Sequence, residues 1–391
     1  MENLIFFFNS KIVPKKNFSM ACQQAAVDVA IVGAGISGLV CAFALHTAGY
    51  TVAVMDARKR VGGRLLSVRG SDLGASWTFP PHEWRVKALA KAVGVVAIEQ
   101  NVDGEAYQVD RGQAHRVGNA GARMAPCGGD AVRFSGGYAS LPAKLAEKLP
   151  AGAVHLDSRV ASVAAIDGGG IKLKYTHRGD SAEIVARRVV VAAPPGVVAA
   201  TIVFEPALST AQERKQRSTA TWCGDWCKVA ATFKTPFWRS AHASGVVATP
   251  GPIQIWWEGS AGAPEVSASL VGLGVGAATR AVGGESGEAL SGDAEARAIV
   301  LSALSPAFGA ALVAEQLVDV SAKCWMKDNL TFAPSGSHRD YGAALLRAPT
   351  SWGVHWAGTE TERANGHVEG AIQAGERAAK EIAAALGAAA R

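Results

Sequence analysis

Residues 27–64, VDVAIVGAGISGLVCAFALHTAGYTVAVMDARKRVGGR, read as a strand, a glycine turn, a helix, a second strand and a second glycine turn. Gly33, Gly35 and Gly38 satisfy G-x-G-x-x-G directly after the apolar run 29–32, and a helical pattern carried by Leu39 and Phe43 follows up to a stop at Gly49. The first glycine permits the tight turn, the second lets the backbone approach a pyrophosphate, and the third lets helix and strand pack closely. The helix start, with Ser37 in its first turn, points unpaired N–H groups and a partial positive charge at the phosphates. The second strand ends at Asp56, about eighteen residues past Gly38, where a carboxylate can accept both ribose hydroxyls. The pattern predicts an α/β protein with a Rossmann-like site for an adenine dinucleotide.

A nicotinamide-binding unit would usually stop there, but this chain goes on with Arg58, Arg60, Val61, Gly62, Gly63 and Arg64. Taken alone, the arginines read as a solvated basic turn. The run RVGGR resembles the flavin amine oxidase family, in which the acid matching Asp56 is most often glutamate. The resemblance implies that Arg64 lies beside the phosphates of FAD, with Arg58 among the cofactor contacts. It returns at residues 356–382, WAGTETERANGHVEGAIQAGERAAKEI, where A-G-T-E-T falls on residues 357–361 and E-G-A-I on residues 369–372. Val368, Ala371, Ile372, Gly375, Ala379 and Ile382 recur at helical spacing. By the same resemblance Gly358 and Glu360 hold the cofactor, and N–H groups near Val368 face the flavin pyrimidine oxygen, where negative charge gathers on reduction.

Weaker echoes keep the family order. Asp72, Leu73, Gly74, Ala75, Ser76 and Trp77 are similar to the segment whose small residues let the backbone approach the isoalloxazine ring. Gly136, Gly137 and Tyr138 ahead of Leu141 resemble another family turn, and Val160 in DSRVASV sits where the family places a backbone contact to adenine. The run VVVAAPP, 189–195, is similar to the strand and turn that follow. The resemblance covers roughly residues 27–385, thinly over 81–133 and 240–320.

The chain has 391 residues, 49% of them hydrophobic, enough for one large core or two domains sharing a boundary. Its net charge of +6 is spread along the chain without a basic run interleaved with aromatics, which suits an anionic cofactor and does not argue for nucleic acid. The six cysteines form no C-x-x-C, and Cys223 and Cys227 have no histidine nearby. Reduced thiols in a cytoplasmic protein and no metal site are the expectation. No apolar run is long enough to span a membrane. Residues 1–26 are basic and are set apart from the fold, as an organellar leader or a segment ahead of a start at Met20.

The order of motifs predicts a discontinuous FAD-binding domain from residues 27–80, 134–222 and 324–391, with an α+β substrate domain from the two insertions, 81–133 and 223–323. The second insertion shows strand-like runs at 228–233, 253–257 and 267–273, then a helical pattern over 293–304. Gly272, Gly274 and Gly276 mimic a second fingerprint but read as strand and turn. The first insertion is shorter than the helical segment most family members carry, which implies a more open pocket or cover from the second subunit of a homodimer.

For an amine oxidase the expected partners are a small amine and molecular oxygen, with an imine and hydrogen peroxide as first products. Lys228, in CKVAATFKTPFW, falls where the family places a lysine that holds a water near flavin N5; the bland reading is a strand-edge lysine. Trp325 resembles the tryptophan packed beside the flavin, although such a residue is as often core. Where the family attaches FAD covalently it uses a cysteine beyond this tryptophan. None follows Trp325, so the cofactor is expected to be non-covalent. The aromatic cage of many relatives has a ring just before E-G-A-I; here that position is His367, readable as a pH-sensitive wall, a proton acceptor or a packing residue. Two further readings stay open: a related desaturase or a renalase-like oxidase of dihydronicotinamides, and a flavin-binding protein without turnover.

Overall fold

A computed structural model of the chain describes residues 26–388 except 81, 120, 126, 128–129, 260–267, 277–278, 280–281, 283–289, 293, 334–338 and 364–365. The leader segment therefore lies outside the described residues. The glycine turn folds as its spacing dictates. Strand β1 (Val27–Val32) leads through it into helix α1 (Ile36–Thr47), which returns the chain to strand β2 (Val52–Met55), parallel to β1. A Cβ on Gly38 would lie 2.0 Å from the Gly33 carbonyl oxygen, so only glycine lets α1 start this close to the turn.

Two large sheets organise the described residues. The first runs in the order Val203–Glu205, Ser158–Ala165, Ile171–His177, Asp180–Val191, β1, β2, Val154–His155, with Val354–Trp356 joining the far end of Asp180–Val191. Where its central parallel strands are fully buried, at 29–32, 52–55 and 189–191, they read as unbroken apolar runs rather than alternating ones. Helix α1 and the C-terminal helix α2 (Val368–Ala388) pack together in one hydrophobic cluster with Leu39, Leu45, Ile372 and Ile382 at its centre.

The second sheet is built from chain segments between those of the first. Strand β3 (Trp226–Phe233) lies between strand β4 (Leu317–Cys324) and Ala268–Val275, and the sheet continues through Ile255–Glu258 and Ala243–Ala248 to Glu105–Asp110. Gly272 and Gly274 sit inside the Ala268–Val275 strand and Gly276 follows it, so the second glycine run is indeed strand and turn. Helix Ala294–Phe308 covers this sheet through Ala296, Val300 and Leu304. Among the described residues no helix is long and apolar enough to cross a membrane.

The expectation of six reduced thiols is corrected. Cys227 and Cys324 stand directly opposite each other on β3 and β4, with Cα atoms 4.1 Å apart, and are joined as a disulfide. They are 97 residues apart in sequence, so only the pairing of the strands brings them together. Among the described residues Cys41, Cys127 and Cys223 are in no disulfide.

Candidate functional site

A cavity of about 530 Å³ runs between the two sheets, from the glycine turn and the end of β2 to the start of α2. One end is lined by Gly33, Gly35 and Ser37 of the turn, Asp56 and Arg58 after β2, and Val160. Asp56 accepts hydrogen bonds from the backbone N–H of Ala34 (2.7 Å) and Arg58 (2.8 Å), which ties the end of β2 to the glycine turn. Ser37 accepts from Gly358 N at 2.9 Å, so its hydroxyl joins the first and last motifs across the cofactor end of the chain. Gly38 does not line the cavity; its task is packing.

Arg58 and Arg64 both reach the cavity wall, each held by an acid. Arg58 Nη2 donates to Asp328 Oδ1 at 2.6 Å and to Thr331 at 2.8 Å, and Lys323 Nζ donates to the other oxygen of Asp328 at 2.6 Å. Burial opposes ionisation of Asp328, but the Arg58 charge and Lys323 outweigh it and hold its carboxyl below the ordinary value. Arg64 Nη1 lies 2.8 Å from Glu360 Oε1, yet neither oxygen of this buried carboxylate receives an aligned hydrogen bond from the described residues. Glu360 is placed behind Arg64 rather than on the cavity wall.

The other end is lined by Gly74, Ala75, Ser76, Trp77, Lys228, Trp325, His367 and Val368. A Cβ on Gly74 would lie 1.9 Å from the Arg64 carbonyl oxygen, so the two glycine-rich segments can lie side by side only with glycine there. Lys228 is 5% exposed, and its Nζ donates to Gly74 O and to Ser76 Oγ, both at 2.6 Å. The ammonium also lies 5.6 Å from the Trp77 ring centre and 5.3 Å from that of Trp257. Burial lowers its pKa to about 8. Trp325 is fixed by donation from its Nε1 to Leu73 O at 2.8 Å, and Trp77 by donation to Gln100 at 2.9 Å.

His367 is 40% exposed in its side chain, and its Nδ1 lies 2.7 Å from Glu83 Oε1. Glu83 Oε2 accepts from Thr78 Oγ1 and Phe79 N, each at 2.8 Å. Glu83, Phe79, Trp222 and Trp226 line the cavity, and sequence reasoning missed all four. Glu83 lies in the thinly matched first insertion, 284 residues from His367, and nothing in its local sequence marks the contact. The tryptophans stand just before Lys228, where their number was the only signal. Among the described residues no cluster of metal-ligating side chains occurs.

The protein offers a place for FAD on its own geometry. A Cβ on Gly35 would meet nothing within 4 Å, which leaves open space in front of the first turn of α1, whose leading N–H groups have no side-chain cap. Glu360 supplies a buried carboxylate with unused acceptor capacity. An uncapped helix start, an acid at the end of the second parallel strand and a cavity lined by tryptophans and Lys228 fit a dinucleotide-dependent redox flavoprotein.

Comparison with known proteins gives the family. The model of flavin containing amine oxidoreductases matches residues 109–383, and that of a Rossmann-like NAD(P)-binding domain matches residues 31–92. The chain is 25% identical to pig (Sus scrofa) flavin-containing amine oxidase B over 93% of its length and 88% of that protein. It is 27% identical to the putative flavin-containing monoamine oxidase AofH of Mycobacterium tuberculosis over 92% and 97%. An L-amino acid dehydrogenase of Synechocystis is 30% identical over 65% of this chain, and that match spans 51% of the relative. Among solved structures a putrescine oxidase variant superposes with a TM-score of 0.72 at 23% identity, covering 92% of this chain and all of that one. The chain belongs to the flavin-containing amine oxidoreductase family. It is an enzyme that uses FAD.

Proposed function

We propose that this enzyme oxidises the carbon–nitrogen bond of an amine to an imine. The observation that carries the reading is Lys228, a buried cation held between Gly74 and Ser76 in the same cavity wall as Trp325 and the start of α2. FAD supplies the redox chemistry when bound: it takes two electrons and a proton from the carbon bearing the donor nitrogen and passes the electrons to oxygen as hydrogen peroxide, while water hydrolyses the imine to a carbonyl and ammonia or a smaller amine.

The chain's own residues do the rest. The first N–H groups of α1 and the guanidinium of Arg64 would receive the phosphates, Asp56 would keep lone pairs for the ribose, and Glu360, behind Arg64, would hold that guanidinium in place. Val160, Gly358 and Val368 supply backbone contacts, with Gly74, Ala75 and Ser76 leaving room for the ring. Two of the three Lys228 protons are donated to Gly74 O and Ser76 Oγ. The third is available to a water, or to an oxygen-derived anion, in the cavity. Trp77, Trp222, Trp325 and Phe79 exclude bulk water from the donor, and His367 stands beside it on the same wall.

Anaerobic bleaching of the flavin with a panel of amines tests this reading. Reduction by at least one amine, with hydrogen peroxide released on admitting oxygen, is expected. Reduction by dihydronicotinamides alone, or by no donor, would refute it.

A further inference from the structure

We propose that the Glu83–His367 pair is a specificity element that receives the carboxylate of the donor, so that amino acids are favoured and amines with a second cationic group are not. The proposal rests on the reading of the reaction as amine oxidation. Its basis is the charge left available in the cavity. The two carboxylates on the cavity wall are both engaged: Asp56 by the N–H groups of Ala34 and Arg58, and Glu83 by His367, Thr78 and Phe79. A second ammonium on a donor would therefore find no unpaired acid there.

A carboxylate, by contrast, would find the imidazole. Nδ1 of His367 faces Glu83, and its other nitrogen, Nε2, has no partner among the described residues, on a side chain that lines the cavity. The hydrogen bond to Glu83 outweighs burial and lifts the His367 pKa above its ordinary value; the same bond, with those from Thr78 and Phe79, outweighs burial at Glu83 and lowers its carboxyl. An imidazolium backed by a carboxylate is the form this favours, and its second N–H is a charge-assisted donor. Of the other charged groups nearby, several are already engaged. Glu369 and Glu376 hold Arg85, Glu360 holds Arg64, and Lys228 is bound to Gly74 and Ser76. The Phe79 ring, its centre 6.1 Å from that of His367, walls the imidazole on one side.

The test uses the FAD-loaded protein and donors that differ in one group: phenylalanine against phenylethylamine, with putrescine as the dication. Binding of phenylpropionate, a carboxylate without an amine, is followed by calorimetry. Phenylalanine is expected to have the highest kcat/KM, and His367→Asn to lower the phenylalanine to phenylethylamine ratio and weaken phenylpropionate binding by roughly ten- to a hundredfold. Glu83→Gln, which keeps volume and an acceptor, should move the pH step in both readouts to lower pH. His367→Lys should restore carboxylate preference without that step. A wild-type preference for phenylethylamine or putrescine, or binding and selectivity unmoved by His367→Asn, overturns the proposal. If no amine reduces the flavin, the amine reading fails by itself, and phenylpropionate binding still decides the role of the pair.

Discussion

Replacing Lys228 by methionine separates the two halves of the reaction. The side chain is buried, and its ammonium is held at 2.6 Å by Gly74 O and Ser76 Oγ. Methionine fills nearly the same volume and removes the charge. A burial-disfavoured ammonium lowers stability below about pH 8, so the variant is expected to fold and to keep FAD. On the proposed reading it loses a cation beside the point where negative charge builds on oxygen. One preorganised donor in a dry site is worth about 2.7–4 kcal/mol, so reoxidation should slow on the order of 10²- to 10³-fold, whereas anaerobic reduction by the donor should change by less than about tenfold. The pH dependence gives a second handle. The wild-type lysine is charged below about pH 8 and neutral above, so wild-type reoxidation is expected to fall as pH rises through about 8, while the methionine variant shows no such step. Stopped-flow mixing of reduced enzyme with oxygen measures both. A variant with wild-type reoxidation and an unchanged pH profile would remove Lys228 from the oxygen step.

Three further outcomes follow from the geometry. Acid precipitation of the purified yellow protein should release intact FAD into the supernatant, because no cysteine lies beyond Trp325; flavin left on the pellet would refute non-covalent binding. Arg64→Ala removes the partner of buried Glu360 and, on the proposed reading, a phosphate contact, and is expected to give folded but largely colourless protein by absorbance and circular dichroism, whereas full FAD occupancy would count against the assignment. Asp328→Asn leaves Arg58 and buried Lys323 without their acid and should destabilise the fold by about 3–5 kcal/mol in thermal or urea unfolding. Since the Asp328 carboxyl is held below its ordinary value, its contribution in the wild type is complete above pH about 4 and is lost as pH falls through the lowered value; an acid limb shared unchanged by the variant would contradict this.

The sequence by itself determined the cofactor end. The periodicities of residues 27–56 and 368–382 are local rules of strand, turn and helix, and G-x-G-x-x-G needs only neighbouring residues to make its turn, so β1, α1, β2 and α2 were legible before any contact was known. The first and last motifs meet because α1 and α2 bury their apolar faces in one cluster, and Ser37 completes the joint by accepting from Gly358. Only the tertiary structure decided the donor end. Glu83 and His367 have no local relation, and the pair exists because the loop before Trp84–Val93 is laid against the start of α2, where Arg85 binds Glu369 and Glu376. The same holds for Cys227 and Cys324, opposed by strand register, and for Arg58, which the sequence offered to the cofactor and the fold anchors on Asp328. A charge can be read from sequence, but its partner cannot, because the partner is chosen by how separate elements stack, and here it sets which groups remain free to meet a substrate.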